Sequence, residues 1–134
     1  MTPSLRARQG YLDPAPRGIG AEAAWARPGG LGEGVRVIDI EMAWRFSHED
    51  LRYRPNRLLS GRQPGQRDSR NHGTNVLGML AADHNGRGIM GICPAADVRC
   101  ISIGTDEWTS SAAVREAADV LAPGDIILLS LIHI

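Results

Sequence analysis

Between residues 35 and 129 the apolar residues change their spacing four times, and that alternation limits the possible folds more than any other feature. The run at 35–40, Val-Arg-Val-Ile-Asp-Ile, is β-branched and reads as a buried strand. From His72 to Asp83 the apolar residues Val76, Leu77, Leu80 and Ala81 recur at helical spacing. A second strand is expected at 98–103 and a helix at 112–121, entered through Thr109-Ser110-Ser111 and stopped by Pro123-Gly124. A third strand is expected at 126–129. Strands that alternate with helices of this length imply an α/β fold: a parallel sheet with right-handed crossovers.

The remaining segments punctuate this frame. Residues 1–18, rich in Pro, Arg and Gly, read as an extended lead-in, and 20–27 as a short helix stopped by Pro28-Gly29-Gly30. Residues 41–71 read as a long irregular segment, with one helical turn at Ser47-His48-Glu49-Asp50-Leu51. Six arginines between Arg52 and Arg70 fit a solvated surface loop. The glycines of 29–34 precede a strand, whereas a dinucleotide fingerprint follows one, so they read as a turn. No Gly-Lys-Ser/Thr phosphate loop, internal repeat or low-complexity tract is present.

A chain of 134 residues fits one domain by length. Its fifteen basic residues, all arginine, balance fifteen acidic ones, so nucleic acid and anionic membrane are not expected partners. Low aromatic content and abundant Gly and Ala point to a core of Ile, Leu, Val and Ala. Cys93 and Cys100 make neither a disulfide framework nor a zinc cluster. No apolar run is long enough to span a bilayer, and the first six residues have no apolar core of a signal peptide. Secretion is expected only if a signal and propeptide lie upstream of Met1.

Two residues stand out chemically. Asp39 is expected at the carboxyl end of the first strand, where open parallel sheets bind their ligands. His72 is expected at the start of the following helix, facing the same rim. A helix N-terminus resists formation of imidazolium, and a nearby buried carboxylate reverses that penalty and fixes the tautomer. The pair would then take a proton from a hydroxyl and hold it.

The segments Val35-Arg36-Val37-Ile38-Asp39, Ser47-His48-Glu49-Asp50-Leu51, Asn71-His72-Gly73-Thr74-Asn75-Val76-Leu77-Gly78 and 85–98 together resemble the subtilisin-like serine proteases. The resemblance covers roughly residues 30–128. It implies the N-terminal part of a subtilisin-like catalytic domain, hence an incomplete doubly wound parallel sheet acting on polypeptide substrates. It also implies Asp39 as orienting acid and His72 as general base. The family's Gly-Thr-Ser nucleophile motif and oxyanion-hole Asn do not follow, and Ser102, Ser110, Ser111 and Ser130 do not sit in such a motif. The chain alone is therefore expected to be inactive. Ile40 and Glu41 stand where many family members have Ser or Thr and then Gly. Glu41 is expected to be a solvent-facing or salt-bridged loop residue. No cofactor is expected to be required, but Asp50 and Asn85 match family positions that bind a structural calcium ion.

The organisation expected is a lead-in and short helix at 1–29, the peptidase part at 30–128, and a non-native tail at 129–134. That tail looks like translated sequencing adapter, and His133 is assigned no function. The alternative function is a non-catalytic α/β binding module on the same scaffold. A small nucleotide-binding domain is disfavoured by the missing phosphate motifs.

Overall fold

The structure is a computed structural model that describes residues 2–52, 56–105 and 109–130. Its strands are β1 (Arg36–Glu41), β2 (Leu58–Ser60), β3 (Asp97–Ser102) and β4 (Ile126–Leu129). Its helices are α1 (Ala21–Trp25), α2 (Arg67–Ala81) and α3 (Ser110–Val120). The strands form one parallel sheet in the order β2-β3-β1-β4. The α/β class and parallel sheet read from the sequence are what the chain adopts.

The pleat of β1 sorts its side chains onto two faces. Val37 joins Leu77 and Ala81 of α2 and Val98 and Cys100 of β3 in one buried cluster. Ile38 and Ile40 join Ile101 of β3 and Ala113 and Ala117 of α3 in another. The two helices therefore cover opposite faces, the doubly wound arrangement. Thr109 caps α3 as expected, its Oγ1 accepting from the Ala112 N–H at 3.2 Å.

Three expectations need correction. The segment 41–71 is not wholly irregular: β2 lies within it, paired with β3. Of its arginines, Arg57 is buried while Arg52, Arg62, Arg67 and Arg70 are exposed; Arg54 lies outside the described residues. Second, α2 begins at Arg67, five residues before His72. Its N-cap, Gln66, makes no side-chain capping bond, so no local signal announces the start. Third, the lead-in is folded back on the domain. It carries two 3-10 turns (Arg6–Arg8 and Gly10–Leu12), and Leu12 is fully buried. The buried Gln9 side chain bonds both the N–H and the carbonyl of Met90.

β4 lies at the outer edge of the sheet with Ile126, Ile127 and Leu129 exposed. Of the suspected tail, Leu129 ends β4 and Ser130 follows it, whereas 131–134 lie outside the described residues. Among the described residues, no helix is long and apolar enough to cross a membrane.

Candidate active site

Alternation along β1 puts Val37, Asp39 and Glu41 on the face covered by α2, with successive members about 6.6 Å apart along the strand. Glu41 is the last residue of β1, at the carboxyl rim, and Asp39 lies one pleat deeper. Parallel register sets Cys100 and Leu128 beside Asp39, and Ser102 beside Glu41. Leu129 pairs with Ile40, so the next residue, Ser130, comes level with Glu41.

Both carboxyl groups are buried, Asp39 at 0% and Glu41 at 2% exposure. Asp39 Oδ2 accepts from the Trp44 indole Nε1–H at 2.8 Å. Its Oδ1 is buried and accepts no hydrogen bond. Burial pushes the Asp39 carboxyl up to about 7, partly opposed by the Trp44 bond. Burial pushes Glu41 up to about 8, helped by the neighbouring Asp39 charge and opposed by a hydrogen bond from Ser130. Two acids held so close in low dielectric disfavour double ionisation.

His72 lies in the second turn of α2. Ser69, Gly73, Leu77 and Ala81 form the buried stripe of that helix at intervals of four, and His72 stands beside the stripe at the rim. Its Nε2 is 3.2 Å from Glu41 Oε1 and 3.3 Å from Ser130 Oγ. The expected pairing of His72 with Asp39 is therefore not the one the structure makes. Asp39 is held by Trp44, and the acid in reach of the imidazole is Glu41. In the second turn, His72 also stands largely outside the field of the helix N-terminus, which fades within the first turn.

The two residues after His72 explain why the imidazole is held where it is. A side chain at Gly73 would collide with the Ala43 carbonyl oxygen and crowd the Trp44 indole. Glycine lets the β1–α2 connection lie directly on the helix. Thr74 Oγ1 accepts from the Arg45 N–H at 2.8 Å and donates to the Arg70 carbonyl. The segment that carries Trp44 is thus tied to the turn of helix that carries His72.

Ser130 touches the imidazole although it sits in no nucleophile motif. Its Oγ and Glu41 Oε1 share a single ring nitrogen, Nε2. A relay needs the acid on one nitrogen and the hydroxyl on the other, so this contact does not build one.

The proposed calcium ligands lie elsewhere. Asp50 Oδ2 accepts from the Ile89 N–H at 3.1 Å, while Oδ1 is buried and accepts no hydrogen bond. Gly88, at φ 53°, leaves room for that carboxylate, which an added Cβ would strike. Asn85 Oδ1 accepts from the Arg87 N–H at 3.0 Å. Among the described residues, no three His, Cys, Asp or Glu side chains gather around one point. Any ion here would depend on amide and carbonyl oxygens as well as Asp50, a donor set that suits a hard cation.

Both thiols are free, and burial pushes Cys93 and Cys100 up. Neither has the lowered value of a reactive cysteine.

No family profile matches the chain. Individual relatives do. A thermostable alkaline protease of Halalkalibacterium halodurans is 35% identical over 74 residues, 55% of this chain and 20% of that protein. Subtilisin Savinase of Lederbergia lenta is 32% identical over 85 residues, 63% of this chain and 31% of that enzyme. An intracellular serine protease of Paenibacillus polymyxa is 33% identical over 100 residues, 66% of this chain and 29% of that protein. The chain thus spans about a fifth to a third of the length of these relatives. With its parallel sheet and its His-Gly-Thr helix, this chain is related to the subtilisin-like serine proteases.

Proposed function

We propose that the chain carries the proton-handling part of a serine endopeptidase, with the nucleophilic serine supplied by polypeptide outside these 134 residues. The observation that carries this reading is the imidazole of His72 held 3.2 Å from a buried carboxylate at the carboxyl rim of a parallel sheet. Asp39 and His72 are the pair that the family resemblance nominates for catalysis, and Glu41 adds a second acid to that strand.

His72 would accept the proton of the serine hydroxyl as that oxygen attacks the scissile carbonyl of a polypeptide. The carboxylate would hold the ring in one tautomer and stabilise the imidazolium that forms. The imidazolium would then protonate the leaving amine, and water would release the acyl-enzyme by the same route. Among the described residues the hydroxyl that reaches His72 meets Nε2, the nitrogen facing Glu41, and the 134-residue chain alone is expected to be inactive. The test expresses the complete reading frame containing residues 30–128 and follows casein cleavage. Cleavage abolished by His72→Ala supports the reading. Cleavage indifferent to His72, or a complete protein inert to both casein and a fluorophosphonate probe, overturns it in favour of a binding module.

We also propose a structural calcium ion at Asp50 and Asn85. Support comes from the buried Asp50 oxygen without a donor. The ion would tie the loop after α2 to Asp50. It has no part in the proton transfers.

A further inference from the structure

Asp39 is held through one of its two oxygens. Oδ2 accepts from the Trp44 indole Nε1–H at 2.8 Å, while the buried Oδ1 has no donor among the described residues. The groups around the carboxyl do not supply one. On the neighbouring strands Leu128 is apolar and Cys100 carries only a weak donor. Glu41, on the same face of β1, is a second acid whose charge opposes that of Asp39. The charge of the buried Arg57 is felt by Cys100, one strand further out. From α2, the His72 ring makes both of its contacts through Nε2.

Trp44 is built in firmly enough to fix what it bonds. It is buried, its ring stacks on Phe46 with centroids 5.6 Å apart, and its backbone N–H donates to Gln63 Oε1 at 2.6 Å. The indole edge that carries Nε1 also lies against α2. A Cβ added at Gly73 would stand 3.1 Å from both Cδ1 and Nε1. One ring thus touches the acid on the strand and the helix residue next to His72. An indole N–H donates and never accepts, so this partner favours the ionised carboxylate. The Trp44 bond opposes the burial that pushes the Asp39 carboxyl up to about 7.

We propose that Trp44 is a positioning residue of the candidate protease site: its indole N–H fixes Asp39 through Oδ2, and the open Oδ1 is the acceptor for an imidazole N–H of His72. Nδ1 is the ring nitrogen left for that acid, because both contacts of the ring among the described residues fall on Nε2. Asp39 keeps the orienting role that the family resemblance gives it, and Trp44 acts through Asp39.

The inference rests on the protease reading for its catalytic consequence, but its first test needs no substrate. The carboxyl carbon-13 shift of Asp39 is followed against pH in the 134-residue chain, in Trp44→Phe and in Phe46→Leu. A hydrogen bond to a charged group is worth about a decade or more in an equilibrium constant, so Trp44→Phe should raise the Asp39 midpoint by about one pH unit. Phe46→Leu loosens the packing and keeps the N–H, so it should leave the midpoint in place. An unmoved midpoint in Trp44→Phe, or an equal rise in Phe46→Leu, overturns the inference. If Trp44→Phe loses its dispersed amide spectrum, the parent decides. Its Trp44 indole N–H resonance should move with the Asp39 titration and stop doing so in Asp39→Asn, and a resonance indifferent to that titration overturns the inference. In the complete protein, Trp44→Phe should lower kcat about tenfold with little change in KM, and should add nothing to Asp39→Asn. Full activity in Trp44→Phe beside an inert His72→Ala overturns the inference and leaves the protease reading standing. A complete protein that cleaves nothing removes the protease reading and the catalytic role of Trp44 with it, while the titration still decides the hydrogen bond.

Discussion

Glu41 Oε1 lies 3.2 Å from His72 Nε2, at the point where β1 ends and the second turn of α2 passes over it. One pleat back, Asp39 is bound to Trp44. In the complete protein, His72→Ala should lower kcat by about 10²–10⁴-fold with little change in KM, the range expected when a general base is lost. Steady-state rates on a peptide amide, measured beside unfolding midpoints, separate this loss from a loss of fold.

The isolated chain should not be labelled by a fluorophosphonate. Ser130 meets the ring nitrogen that already faces Glu41, so it cannot be deprotonated by a relay. Intact-mass spectrometry after exposure to the probe should show no adduct, and Ser130→Ala should change nothing. An adduct mapped to Ser130 would refute this.

Stability should fall as pH rises from about 4 to about 8. Asp39 and Glu41 titrate in the folded chain at about 7 and about 8, above their ordinary values of 3.8 and 4.5. The folded state therefore holds protons that the unfolded chain releases, and stability falls with pH between the unfolded and folded values. The contribution is full below about 4 and lost above about 8. Urea midpoints measured across this range should decline, and Asp39→Asn should flatten the decline. A midpoint that climbs over the same interval would contradict the burial assigned to these acids.

Gly73→Ala should destabilise the fold. Helix propensity alone would reward the change by about 1 kcal/mol. The new Cβ would meet the Ala43 carbonyl and the Trp44 ring, and overpacking of this kind costs about 1–3 kcal/mol. The contact should win, giving a lower melting temperature. A rise would show that the loop yields freely.

Calcium should raise the melting temperature of the parent chain and leave Asp50→Asn unmoved. The orphan oxygen of Asp50 is the reason. Equal melting temperatures in calcium and in chelator would remove the proposed ion.

Period and punctuation alone determine much of this molecule. The β-branched run at 35–40 and the helical spacing after His72 fold as their local pattern requires, because burying apolar side chains is a demand the sequence states directly; the apolar stretch at 126–129 also forms its strand, though largely exposed at the sheet edge. The His-Gly-Thr run likewise falls on α2. Where α2 starts was not legible, since Gln66 offers no cap and, of residues 67–71, only Ser69 is buried.

The partner of His72 was decided only by tertiary structure. Asp39 and Glu41 share a face of β1 by simple alternation, and that much could be counted from the sequence. Which of them meets the imidazole depends on where the strand ends, how the helix crosses it and where Trp44 is anchored. Those are long-range contacts, set by the joint packing of β1, α2 and the loop between them. A carboxylate's chemical role follows from the donor it reaches, and one pleat of about 6.6 Å is enough to change that donor from an indole to an imidazole.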